Sequence, residues 1–518
     1  MSIRNFYRNK LRGFLETADD EGFVQLLWAT DALQAGNEIA AAPYFDHYPK
    51  AAATSDISDK YFIFKWELES LANEALTTAK RVIPRNGRVR LLNVRYFETI
   101  AQITNVLRKL ENAEDAHCLK GPSILREMVR IGNRQFDWQR GYFNKPQFYR
   151  NAFIYGQGPC ADYFKDRHGI TINQFTLIGL SLYLLFTKHS SVPYNADFSA
   201  LHLGSQDMKH ALALLAKPLP ELRALAIEER RTGSFTAYKP SVFRRFPCII
   251  FGGDGSRVRA PLPQLILERV TAGIFYDVVG GSGALRNDYS HRFEKYCLSY
   301  LQTMLSELEW SEQTTYRVRS NDVRTPDILL AEKRGLGLVI ECKATRMGYG
   351  AKFGEGNLDE RGFEDIIKAV FQIWRFFSHC RRGFVNMKPN DDAIGVVLTL
   401  DNWLQVASPL QEEVITAATQ IASSKDTEIL EQDRRPIAFF SITDLEETLI
   451  QANSKTFLQA VRAASSSKFK GWMLANVHDN FADPNYAKKP YPFRDDMGKV
   501  LPWWDEIQVA CAKPSPGE

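Results

Sequence analysis

Cysteine is scarce in this sequence and follows no pattern. Seven residues in 518, Cys118, Cys160, Cys248, Cys297, Cys342, Cys380 and Cys511, are scattered, odd in number and never spaced as Cys-x-x-Cys. That excludes a zinc knuckle and a paired redox motif, and it makes a reducing cytoplasm the expected location. A long uninterrupted apolar run is also lacking. The most apolar stretch, Ile172 to Thr187, has 16 residues, is broken by Asn173 and Gln174 and ends at Lys188-His189. About 20 apolar residues span a bilayer, so the stretch reads as a buried core helix and no membrane partner is expected. Met1 to Leu15 is basic but has no apolar core, so no signal peptide is expected there. No Gly-x-x-x-x-Gly-Lys-Ser/Thr occurs, which leaves a P-loop unsupported. No His-Glu-x-x-His and no Gly-x-Ser-x-Gly occur, and the nine histidines do not cluster, so neither a zinc site nor a serine hydrolase is indicated. The net charge of +4 is slight; it allows a local basic groove without demanding one.

What is present is ordinary globular material, 45% hydrophobic and 24% charged, with a length that suggests roughly two to four domains. Apolar residues at three- and four-residue steps predict helices over Asn5–Leu15, Glu21–Leu33, Lys60–Arg81, Arg95–Leu110 and Ser123–Ile131. Ala35 to Ser58 reads as a loop and Arg88 to Val94 as a short strand. Residues 1–246 are therefore expected to be a mainly helical domain serving recognition, regulation or assembly, through a homo-oligomer or a protein partner. Residues 247–285 read as a connecting segment. They contain a strand from Pro247, a helix over Leu265–Val270 and a hinge at Gly280-Gly-Ser-Gly283. Residues 286–480 alternate helices and apolar strands, including 393–400 and 436–442, as an α/β domain does. Residues 481–518 read as an extended arm whose Trp503 and Trp504 need cover.

One stretch stands out, Thr325 to Thr345. It reads as two strands, Asp327–Glu332 and Leu336–Ala344, joined by a charged turn with glycine. Residues two apart share a strand face, so Val339, Glu341 and Lys343 lie together and Ile340 and Cys342 face away. An acid and a lysine on an apolar strand are costly to bury unless they border a cleft and offset each other or a metal. Asp327 and Glu341 together make a hard oxygen site suited to Mg²⁺ or Mn²⁺, with the backbone carbonyl of Cys342 as a further ligand. Lys343 is placed to orient or help deprotonate a water, or to offset charge in a transition state. The chemistry that uses this set is metal-assisted phosphodiester hydrolysis. The plainer alternative is an edge hairpin with solvated charges.

Pro326-Asp327 followed by Glu341-Cys342-Lys343 resembles the PD-(D/E)XK signature of the restriction-endonuclease-like nuclease superfamily, with every lettered position filled. The resemblance covers about residues 286 to 405. It implies a mixed sheet flanked by helices, a Mg²⁺ or Mn²⁺ cofactor, and Asp327, Glu341 and Lys343 as catalytic residues. In that superfamily the first helix often carries a Phe-Glu pair whose acid reaches the metal; Phe293-Glu294 matches it, against the alternative of an exposed helix acid. RecB-like members carry Gln-x-x-x-Tyr on the helix after the Glu-x-Lys strand. Here Gln372 is followed by Phe376, so the hydroxyl is missing and Gln372 stands equally as a core glutamine. By analogy, such a domain with a large helical companion looks like a prokaryotic defence or mobile-element effector.

Two stretches mix cations with aromatics. The first, 133–150, holds Arg134, Arg140, Lys145 and Arg150; the second, 230–246, holds Arg230, Arg231, Lys239, Arg244 and Arg245. They suit phosphate contact with base stacking, or else aromatics in the core beside solvated cations. The expectation is a metal-dependent nuclease acting on DNA, with the second stretch as its nucleic-acid contact. The alternatives are a non-cleaving nucleic-acid-binding or assembly module, and a nuclease acting on RNA.

Overall fold

The computed structural model describes residues 2–81, 91–118, 124–231, 235–236, 241–252, 255–346, 360–402, 408–483 and 486–506. Arg88 to Arg90 of the expected short strand fall outside these, and Leu91 to Asn93 are not strand.

The chain is a mixed α/β protein with a mainly helical N-terminal half. Asp19 caps the helix Asp20–Gln34 by accepting the Gly22 N–H at 2.7 Å, and acids at 20 and 21 suit the positive end of that helix. Trp28 of this helix is buried and donates its indole N–H to the Phe186 carbonyl at 2.7 Å. Phe186 belongs to the helix Ile172–Lys188, which opens with a Thr171/Gln174 capping box and buries Phe175, Ile178 and Leu182. Among the described residues no single helix is long and apolar enough to cross a membrane; Gly158–His168 and Ile172–Lys188 reach that length only as a pair bent by 68°. Two helices run beyond their expected ends, Phe97–Cys118 and Ile124–Arg140, while Lys65–Thr77 is shorter because Phe64 is already extended. The loop expected over Ala35–Ser58 contains one helical turn at Glu38–Ala41 and two 3₁₀ turns.

The C-terminal half is built on a five-stranded sheet. In chain order come α1 (Gly283–Met304), β1 (Glu309–Glu312), β2 (Ile328–Glu332), β3 (Gly335–Lys343), α2 (Glu360–Arg381), β4 (Pro389–Thr399), α3 (Ser408–Lys425) and β5 (Ile437–Ser441). The spatial order is β5-β4-β3-β2-β1. β1, β2 and β3 form an antiparallel meander, and β4 and β5 continue the sheet parallel to β3. A polar ribbon, Thr315–Val318 paired with Asn321–Arg324, stands between β1 and β2.

Both faces of the sheet are covered, as the continuous apolar run of β4 implies. On one face α2 and α3 pack Ile366, Val370, Ile373, Phe377 and Val414 against Val339 and Val397. Gly395 lets α2 come close, since a β-carbon there would meet Ile373 Cγ2 at 2.6 Å and Ile437 Cδ1 at 2.4 Å. On the other face Ile340, Cys342, Val396 and Leu398 join α1, and the same apolar cluster runs without a break into the N-terminal helices as far as Leu11. Buried aromatics bridge the halves, with Tyr155 against Tyr289 at 6.0 Å between ring centres. The C-terminal arm closes over this seam. Phe493 stacks on Tyr149 at 4.9 Å, and Trp503 and Trp504 are buried.

Candidate active site

Asp327, Glu341 and Lys343 meet at one end of the sheet. Asp327 precedes β2, while Glu341 and Lys343 end β3, paired across to Val397 and Thr399 of β4. Asp327 Oδ2 accepts the backbone N–H of Cys342 at 2.7 Å. In an extended strand the N–H and C=O of one residue leave on the same side, so the Cys342 carbonyl also lies on the Asp327 side of β3. The Cys342 side chain takes the opposite face, against Cys297 of α1. Lys343 Nζ donates to Glu341 Oε2 at 2.8 Å.

The electrostatics are those of a site with surplus negative charge. Asp327 and Glu341 are buried. The Asp327 carboxyl is pushed well above the usual carboxylate range by burial first and by Glu341 next, with Glu294 adding to this and Lys343 and the Cys342 N–H opposing. Glu294, on α1, is also raised, chiefly by burial, and His291 lies 3.4 Å from it and opposes the shift. Lys343 is held above its ordinary range because Glu341 and Asp327 outweigh its burial. The structure therefore brings Glu294 into electrical contact with the Asp-Glu-Lys set, as its place in a Phe-Glu pair implies.

Gln372 is half-buried on α2 and makes no hydrogen bond to Asp327, Glu341 or Lys343. The glutamine that does bind the site is Gln313, in the link between β1 and the polar ribbon. Its Nε2 donates to Asp327 Oδ1 at 3.1 Å, and Arg324 Nη1 holds its Oε1 at 3.4 Å. Thr314 and Thr325 lock the link beside Pro326 by exchanging bonds of 2.8 and 2.9 Å. Phe376 packs edge-on against Tyr316 from the ribbon at 6.1 Å, and the Tyr316 hydroxyl and His379 Nδ1 share a hydrogen bond of 2.7 Å.

The arginines expected to contact nucleic acid do not form one phosphate-facing surface. Arg244 is buried and forks onto Glu69 at 2.8 and 3.0 Å. Arg230 is engaged by Thr77 and by Glu74 at 3.3 Å, and burial lowers its pKa. Arg245 is exposed and pairs with Glu229 at 3.0 Å. Lys239 and the side chain of Arg231 lie outside the described residues. In the first stretch Arg134 is buried against Glu111 at 2.7 Å and Arg150 is buried against Glu446, so those cations belong to the core.

The donor set tests well against a hard divalent cation. Asp327, Glu341 and the Cys342 carbonyl are all oxygen donors, and their mutual repulsion is what such a cation relieves. Among the described residues no group of three or more His, Cys, Asp or Glu side chains gathers as metal ligands. Two carboxylates completed by a carbonyl and waters remain a normal arrangement for Mg²⁺. No family model, no curated protein and no solved structure matches the chain.

Proposed function

We propose that the protein is a divalent-metal-dependent nuclease of the restriction-endonuclease-like kind, acting on DNA. The observation that carries this reading is the geometry of the acidic set: Asp327, buried, is moored at 2.7 Å through the Cys342 N–H to the strand that bears Glu341 and Lys343, and Lys343 meets Glu341 at 2.8 Å. The order of helix, three-strand meander, helix and parallel strand is the arrangement that the superfamily resemblance implies.

In this reading Asp327, Glu341 and the Cys342 carbonyl hold Mg²⁺ or Mn²⁺, with Glu294 behind them ordering its water. The bound cation supplies Lewis-acid polarisation of the scissile phosphate and a more acidic water. Gln313 fixes the Asp327 carboxylate. Lys343, charged in its pairing with Glu341, stabilises the negative charge that builds on the phosphate and orients the attacking water rather than taking its proton.

A second reading is a non-cleaving nucleic-acid-binding module, favoured by the closed Lys343–Glu341 ion pair, which neutralises two of the site's charges. The test is cleavage of linear, circular and single-stranded DNA and of RNA, with and without Mg²⁺ or Mn²⁺, by wild type, Asp327→Ala and Lys343→Ala. Metal-dependent cleavage lost in both variants supports the nuclease, and the substrate preference sets DNA against RNA. Binding without cleavage supports the module. Equal cleavage by all three proteins removes the site assignment.

A further inference from the structure

A cavity of about 370 Å³ lies at the junction of the two halves, outside the acidic site. Its size falls within the usual range of small-molecule pockets, about 300 to 1,000 Å³. Five arginines line it against two acids, Glu268 and Asp277. Several carboxylates that pair with these arginines stand behind the wall rather than on it: Glu229 behind Arg245 and Asp401 behind Arg346. Arg167, exposed, hydrogen-bonds to two neutral oxygens, the Tyr163 hydroxyl at 3.1 Å and the Asp277 carbonyl at 3.3 Å. Arg269 is fixed by a fork onto Asp277 at 2.7 and 3.1 Å. Between the cations the wall carries Leu214, Ala272 and two rings: Phe246, already covered by Arg245 at 5.4 Å and Lys217 at 5.1 Å, and Tyr276, which is exposed. Cations at the mouth with rings between them are the chemistry that takes a phosphate attached to a flat organic group.

One residue of the wall, Arg346, comes from just beyond the end of the C-terminal sheet. Arg346, buried, follows Lys343 by three residues and pairs with Asp401 at 2.8 Å, and Asp401 lies just beyond the end of β4. A smaller polar cavity of about 80 Å³ shares Glu268 and Arg346 with the larger one and is floored by Leu400, Asp401, Asn402 and Thr443. These residues follow the carboxyl ends of β3, β4 and β5, where ligands enter parallel sheets. Arg346 Nε is buried there with no hydrogen-bond partner.

We propose that this chamber is a second ligand site, taking a small nucleotide whose phosphate is held by Arg167 and Arg245 while its base lies along Tyr276. Through Arg346 its occupancy is felt at the end of β3. The binding claim stands apart from the nuclease reading; only an effect on cleavage rests on it.

The test uses the full chain in metal-free buffer, with AMP, GMP, adenosine and inorganic phosphate as probes, read by equilibrium dialysis and by Tm. AMP or GMP is expected to be retained and to raise Tm with the logarithm of its concentration. Arg167→Glu is expected to weaken retention by about tenfold or more, the loss of one charge-assisted contact, and Tyr276→Ala also weakens it. Both positions are exposed, and an unchanged Tm without ligand shows that the variants fold. Asp327→Asn is expected to bind as wild type does, which separates this site from the acidic one. No retention of either nucleotide, equal retention by Arg167→Glu, or an equal response to inorganic phosphate overturns the proposal.

Discussion

Asp327 is tied to Cys342 by a 2.7 Å bond from backbone N–H to carboxylate. The acid that opens one strand is thereby pinned beside the acid and the lysine that end the next, and geometry is obtained at the cost of charge repulsion. Neutralising Asp327 relieves that repulsion. Asp327→Asn is expected to raise the stability of the metal-free protein at neutral pH. The sign follows from the raised folded-state pKa: the native carboxyl holds a proton that the unfolded one releases, so wild-type stability falls as pH rises from the unfolded value of about 4. Urea unfolding at several pH values checks this. Mg²⁺ is expected to raise the Tm of wild type and to leave Asp327→Asn unmoved.

Gln313 orients the carboxylate without touching substrate in the proposed site. Gln313→Ala is expected to lose about 10- to 100-fold in metal affinity or activity, as removal of a ligand's outer partner does. A Mg²⁺ titration of cleavage separates the two effects, since lost affinity is recovered with added metal and lost turnover is not, while a merely destabilised variant regains activity at lower temperature.

Arg150 and Glu446 form a buried ion pair across the two halves, with Tyr296 donating to Glu446 at 2.6 Å. Removing one partner leaves the other charge buried, at about 3–5 kcal/mol. Arg150→Met and Glu446→Gln are each expected to lower the urea midpoint strongly, and Arg150→Met/Glu446→Leu to recover part of the loss. Equal midpoints in wild type and single variants would sink the idea that the pair joins the halves.

His379 titrates far from its usual range. Burial and the nearby Arg375 and Arg382 bring its pKa to about 4, with Asp426 opposing. A depressed folded-state value means that stability is complete above the unfolded pKa of about 6.5 and is lost as pH falls toward 4. Because Tyr316 joins His379 to the ribbon beside Gln313, His379→Asn is expected to flatten this acid limb of the stability profile. An unchanged slope between about pH 6.5 and 4 would count against it.

Asp327, Glu341 and Lys343, which the structure brings together, stand out in the sequence because charges on an otherwise apolar strand demand a reason, while Glu294 is pointed to only by the Phe293-Glu294 pair of the resemblance. Gln313 does not stand out. β1 and the ribbon bury almost nothing beyond Trp310, so they carry no apolar alternation to reveal a strand. Its role comes from the Thr314–Thr325 exchange, a contact across 11 positions that spacing does not encode. Gln372 misled for the converse reason: a polar residue on an apolar helix invites a role, yet half-exposed it needs no partner. Arg230 and Arg244 were misjudged because their acids come from distant helices, Glu74 for Arg230 and Glu69 for Arg244. The apolar strands and the helices Asp20–Gln34 and Ile172–Lys188 lie close to what periodicity records, whereas Lys65–Thr77, Phe97–Cys118 and Ile124–Arg140 depart from it because helix ends are set by caps and tertiary packing.

The unbroken apolar cluster from Leu11 to Trp504 has a consequence for how this chain is cut or recombined. Residues 286–480 cannot be lifted out as a cassette, because one face of their sheet, under α1, is sealed by residues far upstream and far downstream. A truncated fragment would present that face to water and to other copies of itself. Activity from such a fragment should be sought only when the missing helices are supplied in trans, and split halves that reassemble would turn the shared core into a reporter of their meeting.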